Sequence, residues 1–269
     1  MRGVSRESLA RARERLDEAP AGADGEAASE ELFAVLRLLD REAGLRRVLS
    51  DPSLPGERKG DLLRDLLGEQ VGERALAVLD DLVRSRWSRA RDFTDAVEIL
   101  AVDSEVAQTQ RAGQLDELED ELFRFGRIVA AEPALRNALV DPALPDERKQ
   151  GLLDSLLGER ATPATLRLVR QLAIHPRGRS FDNGLEDYAR LVAARRERLL
   201  AHVRVAVALS EEQRERLAVA LAETYGHEVQ LNVEVDPTLV GGLRVQVGDE
   251  VIDGTVSRRL DEARRRLTG

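Results

Sequence analysis

The chain has 269 residues, 42% hydrophobic and 34% charged, but only 3% aromatic, so its cores must be Leu, Val and Ala packed between helices. A net charge of −9 argues against nucleic acid as the main partner, because neutralising phosphates needs a basic surface. The absence of cysteine excludes disulfides and zinc–thiolate sites, and no signal peptide or run of roughly 18 apolar residues is seen, which points to an intracellular, soluble protein.

Residues 5–19 place Leu9 and Leu16 seven apart among charges, a helix with one narrow apolar face. The stretch PAGADGEAAS at 20–29 reads as a loop, with Ser29 capping the next helix, where Leu32, Val35, Leu36 and Leu39 share a face. Asp51-Pro52 and Pro55 mark a turn. Behind it Leu62, Leu63, Leu66 and Leu67 form a stripe that stops at Gly68, followed by a helix carrying Leu76, Leu79, Leu82 and Val83.

This grammar then repeats at an offset of 90 residues. LRRVLSDPSLPGERKGDLLRDLLGE at 45–69 returns as LRNALVDPALPDERKQGLLDSLLGE at 135–159, and the chain's two lysines, Lys59 and Lys149, occupy equivalent places. A period of 90 exceeds the roughly 33–47 residues of a helical solenoid repeat. It suits a small domain of roughly 50–200 residues, present twice. Residues 90–112 contain no Pro and keep Val97, Leu100, Val102 and Val106 apolar; one continuous helix shared by both copies is the economical reading. In the second copy Leu122, Phe125 and Val129 make one helix. Thr162-Pro163 caps another that carries Leu166, Val169 and Leu172, and a last long helix starts near Asn183.

After His202 the period changes to two. Val203, Val205 and Val207 alternate as a strand, Ser210 and Gln213 form a capping box, and Val229, Leu231, Val233 and Val235 alternate again. Asp236-Pro237 is a turn, Gly241-Gly242 a bend, 243–247 a strand, Gly248-Asp249 a hairpin turn, and Val256, Leu260, Ala263 and Leu267 stripe a final helix, with Asp253 as its N-cap. The fold class is therefore mainly α with a small C-terminal α/β domain: a helical bundle over 1–95, a second over 96–200, and a small mixed sheet with helices over 201–269.

Catalytic chemistry is sought without success. His175, His202 and His227 sit in three unrelated contexts, Gly241-Gly242 lacks any phosphate-loop continuation, and the acidic Asp236, Asp249, Glu250 and Asp253 are explained as turn and cap residues. Glu57-Arg58-Lys59 and Glu147-Arg148-Lys149 read as solvated first turns. No catalytic, cofactor-binding or metal-binding residue is assigned.

Residues 203–267 resemble the C-terminal region of the delta subunit of F-type ATP synthases, the family of the mitochondrial oligomycin-sensitivity-conferring protein. The motif residues are Asp236, Pro237, Leu239, Gly241 and Gly242, then Gly248, Asp249 and Asp253. Residues from about 96 to 200 resemble that family's single N-terminal bundle; the extra first copy departs from it. The resemblance implies a non-catalytic stator protein without cofactors, peripheral on the cytoplasmic face of a bacterial plasma membrane. It implies two partners, the N-terminal helices of the alpha subunits and the C-terminal helix of the b subunit. In the family the alpha helix lies on the bundle's first and fifth helices, here about 96–111 and 164–173, with Leu166 and Val169 as candidate wall residues. A helical adaptor outside the synthase is the alternative, without a reason for the 236–253 pattern.

Overall fold

The computed structural model describes residues 1, 3–18, 24–198, 200–225, 229–236, 239, 241–247 and 250–254. Two compact units emerge, Met1–Val192 and Ala193–Gly269, and both copies of the repeat fall in the first.

The helical unit runs α1 (Val4–Glu18), α2 (Asp24–Arg41), α3 (Ala43–Ser50), α4 (Gly56–Leu67), α5 (Glu73–Arg84) and α6 (Ala90–Arg111). It continues with α7 (Leu115–Ala131), α8 (Pro133–Val140), α9 (Asp146–Leu157), α10 (Pro163–Ile174) and α11 (Phe181–Arg198), which reaches the second unit. The offset of 90 residues carries α3, α4 and α5 onto α8, α9 and α10 end for end, and α2 onto α7 to within one residue. It carries α1 into α6, and α6 onto α11. Helix α6 is thus the sixth helix of copy one and the first of copy two. Fourteen of its 22 residues are buried, as befits a helix covered on all sides. Val97, Leu100, Val102 and Val106 are all core. Its buried carboxylates are paired with arginines: Arg13 donates to Asp103 at 2.6 Å, and Arg167 to Glu105 at 2.6 Å.

Several local expectations need correction. Residues 24–29 are helical, and Ser29 does not cap α2 but lies within it, buried, donating its hydroxyl to the Ala101 carbonyl at 2.9 Å. Glu26, Ala27 and Ala28 are good helix formers, and Ala28 and Ser29 are buried. Lys59 and Lys149 are not solvated, with 3% and 6% exposure. Lys149 donates to the Ala173 carbonyl at 3.2 Å near the C-terminal end of α10, where a cation is favoured. Burial lowers the pKa of Lys59. Gly68 and Gly158 end their helices in right-handed conformation. Glycine is needed there because an added Cβ would stand 2.5 Å and 2.6 Å from the carbonyls of Arg64 and Asp154.

The second unit comprises β1 (Leu200–Val205), α12 (Glu211–Tyr225), β2 (Gln230–Val235), β3 (Leu243–Val247) and β4 (Glu250–Asp253). The first strand begins earlier than the alternation suggests and ends at Val205, leaving Val207 outside it and 76% exposed. Sheet order is β2-β1-β3-β4, with β2 parallel and β3 antiparallel to β1. The chain therefore reverses between β2 and β3 without making a hairpin, because β1 lies between them. Register aligns Val203 with both Val233 and Val245, and Ala201 with Val247. These residues, with Leu221 and Leu217 of α12, form the core of the sheet, while Val235 at the strand end is 48% exposed. The Ser210–Gln213 capping box is formed in both directions, at 2.9 Å and 3.2 Å. The final helix and His227 lie outside the described residues.

Candidate partner-binding site

Copy two, where the sequence places the partner groove, is held at its centre by α10. Thr162 caps that helix, accepting from the Thr165 N–H, and Pro163 starts it. Glu121 of α7 accepts from the Thr162 N–H at 2.9 Å. In copy one Glu31 accepts from the Gly72 N–H at 3.1 Å, the same contact 90 residues earlier.

The candidate groove lies between α6 and α10. Val169 is fully buried in the helical core, whereas Leu166 is half-buried. Along α10 only Pro163 is exposed, and along α6 only Ala90, Arg91 and Arg111. The cover is α2 of copy one. Besides the Ser29–Ala101 bond, Arg37 donates to Gln171 at 3.2 Å, and Asp40 accepts from Arg177 at 2.9 Å. Ser29, Phe33, Arg37 and Asp40 follow one another at helical spacing, and Phe33 is 5% exposed. His175 at the end of α10 is held below its ordinary pKa by burial first and then by Arg37.

Where α10 gives way to α11, a cluster that the sequence did not announce closes this surface. Arg177 has left-handed backbone (φ 52°) and reaches Glu98 at 2.5 Å, Asp95 at 3.2 Å and the Thr94 hydroxyl at 2.8 Å. Glu98 also accepts from Arg179 and, at 2.8 Å, from the Tyr188 hydroxyl. Burial and then the Glu98 carboxylate hold the Tyr188 phenol well above its ordinary pKa. Burial also raises the Asp95 carboxyl, against the opposing pull of Arg177.

In the second unit the family turn residues that are described take these places. The Asp236 N–H donates to the Val205 carbonyl at 2.8 Å, and the Leu239 N–H to the Asp236 carbonyl at 3.2 Å. Gly241 and Gly242 take φ of 111° and 83°, the positive values that their sequence suggests. Asp253 ends β4 opposite Arg244. Pro237, Gly248 and Asp249 lie outside the described residues.

Among the described residues no group of three or more His, Asp or Glu is placed to hold a metal, and no helix is long and apolar enough to cross a membrane. The profile of the ATP synthase delta (OSCP) subunit family matches residues 104–267, the larger part of the chain. ATP synthase subunit delta of Streptomyces avermitilis is 52% identical, over 98% of both chains. The subunits of that name from Streptomyces griseus subsp. griseus and Thermobifida fusca are 50% and 47% identical, each over 100% of both chains. Copy one, which lies almost wholly outside the matched profile, is therefore present in relatives along their full length. The chain belongs to the ATP synthase delta (OSCP) subunit family.

Proposed function

We propose that this protein is the peripheral-stalk (stator) subunit of an F-type ATP synthase, joining the catalytic alpha/beta head to the b stalk. It resists the torque of the rotor during proton-driven ATP synthesis and performs no catalysis itself. The observation that carries this reading is full-length identity of about one half to proteins named ATP synthase subunit delta. In this reading the helical unit receives the N-terminal helices of the alpha subunits, and the C-terminal unit grips the C-terminal helix of b. Seating a partner's amphipathic helix needs shape and a few polar contacts, not a reacting group. The complex holds the protein at the cytoplasmic face of a bacterial plasma membrane. The test is purification of the tagged chain from cells that make the whole synthase. Alpha and b subunits are expected to co-purify, and recovery of neither would return the protein to the class of free helical adaptors.

A further inference from the structure

The C-terminal half of α2 meets the end of α10 and the turn after it through two polar bonds. Arg37 donates to the Gln171 carboxamide at 3.2 Å, and Arg177 donates to Asp40 at 2.9 Å. His175 lies between Gln171 and Arg177 in the chain. With Asp40 of copy one and Ile174 and Pro176 of copy two it lines a cavity of about 650 Å³, walled also by Arg46 of α3 and Thr94 of α6. The Gln171 contact is only half made, since its buried Nε2 has no hydrogen-bond partner among the described residues. A buried amide left half-bonded costs free energy, so this contact is not tightly held.

Cationic groups face the imidazole from each element around the cavity. Arg37 and Arg41 come from α2, Arg46 from α3, Arg91 from α6 and Arg177 from the following turn. The carboxylates that act on it are Asp40 of α2 and Asp146 of α9. Both are exposed, where solvent screens their pull, and Arg177 already holds Asp40; Arg37 is half-buried. Asp95 and Glu98 of α6 are taken up by Arg177 and Arg179. A proton on His175 therefore sets a further cation beside Arg37, the residue that ties α2 to Gln171.

We infer that His175 is an acid-sensitive latch between the two copies: its neutral imidazole lets the C-terminal half of α2 lie on the end of α10, and its protonation releases that contact while the bundles stay folded. Burial and then Arg37 disfavour the charged imidazole. The penalty is absent well above the ordinary value of 6.5, begins as pH falls through it, and is complete below the lower folded value. Asp95 works the other way. Burial raises its carboxyl, so its own proton uptake favours the folded form as pH falls. The latch goes beyond the stator reading and does not rest on it.

Hydrogen exchange of the full chain, read by mass spectrometry at about pH 7.5 and about pH 5.5 and corrected for intrinsic rates, tests it. Peptides from residues 34–41 and 168–176 report the contact, and a peptide from residues 76–83 of α5 is the reference. In the wild type, protection of the first two should fall by about tenfold at the lower pH, the most that one proton yields over one pH unit, with the reference unchanged. His175→Gln cannot take a charge and should keep its protection at both values. His175→Arg should show the loss already at the higher pH. Every other titrating group, Asp95 included, is common to the three proteins. Circular dichroism checks that the variants fold; should His175→Arg fail, the Gln variant decides alone. Unchanged wild-type protection, an equal loss in His175→Gln, or full protection in a folded His175→Arg would overturn the inference. So would a loss that spreads to α5, which is general acid unfolding.

Discussion

The two copies of the bundle share the bounds of their third to fifth helices to the residue and differ in how they close the same gap. After its fifth helix, copy one plugs the bundle with Trp87, which is 5% exposed, donates its indole N–H to the Leu82 carbonyl at 2.8 Å and packs 6.1 Å from Phe93. At the equivalent place copy two has Arg177, and in place of Phe93 it has Asn183; the gap is filled by the Arg177–Glu98–Tyr188 cluster. A second pair shows the same freedom. Arg64 and Asp80 join α4 to α5 at 2.8 Å, and their counterparts Asp154 and Arg170 join α9 to α10 at 2.5 Å with the charges exchanged. Duplicated backbones therefore preserve the place of a contact more strictly than its chemistry. Contact chemistry can drift wherever one complete solution replaces another, because a half-made polar contact costs more than either.

The sharpest way to break this comparison is to delete each plug. Trp87→Ala should cost about 3–5 kcal/mol from lost burial and the cavity left behind. Arg177→Met should cost up to ~3–5 kcal/mol, because Glu98 keeps only Arg179 and the half-buried Asp95 loses its nearer guanidinium. Urea unfolding at several pH values separates the causes. The Arg177 variant should recover stability as pH falls and the stranded carboxylates take up protons, whereas the Trp87 variant should show no such recovery. An Arg177 variant that unfolds like the wild type would mean that the cluster is ornament and copy two is closed by apolar contacts alone.

A change outside both copies tests whether the effects stay local. Gly241→Val puts a β-branched residue at φ 111°, costing on the order of 1–3 kcal/mol in the C-terminal unit. Binding to a b C-terminal peptide should weaken while binding to an alpha N-terminal peptide is kept. Loss of alpha binding with b binding intact would reverse the assignment of the two ends.

Tyr188 gives a gentler probe of the ionic plug. Its folded pKa is raised above the ordinary 10.0, so the stability it contributes is complete below pH 10 and is lost as pH rises towards the folded value. The slope for one such group is about 1.4 kcal/mol per pH unit. Tyr188→Phe should flatten the alkaline decline seen in unfolding titrations above pH 10; an unchanged decline would assign it to other groups. The smallest effect belongs to the exchanged pair. The double variant Arg64→Asp, Asp80→Arg gives copy one the polarity of copy two. Because the exchange also takes Asp80 from Arg84, which it holds at 2.6 Å, the double variant should melt below wild type by roughly 0.2–1 kcal/mol, the contribution of one partly exposed pair.

Much of the helical architecture was readable in the sequence because Leu and Val periodicity and the paired Pro, Gly and Lys positions recur at a fixed step. The alternation of β1, β2 and β3 was readable for the same reason, but their order was not. Period-two patterns say which face is buried and nothing about which strand is the neighbour. The burial of α2 was hidden because Ala28 and Ser29 carry little hydrophobic signal, yet both are buried in the fold. The Arg177 cluster was hidden too, since its members come from α2, α6, the turn after α10 and α11, separated by up to 148 residues between Asp40 and Tyr188. One clue was available: Phe33 and Phe123 are equivalent in sequence, yet one is 5% and the other 64% exposed. The repeated Phe identified the position; only the fold shows that one copy buries it and the other leaves it exposed.

The helix common to both bundles also bears on how such a chain can evolve. When two domains are joined by a linker, either can be lost and the other still folds. Here the first helix of copy two has lost the sided pattern of a surface helix: Val97, Leu100, Ala101 and Val106 are all fully buried in the presence of copy one. A deletion of residues 1–89 would leave that helix with apolar residues facing water, and would remove Arg13 from buried Asp103 and Asp40 from Arg177. A single deletion does not turn this chain into one self-sufficient bundle.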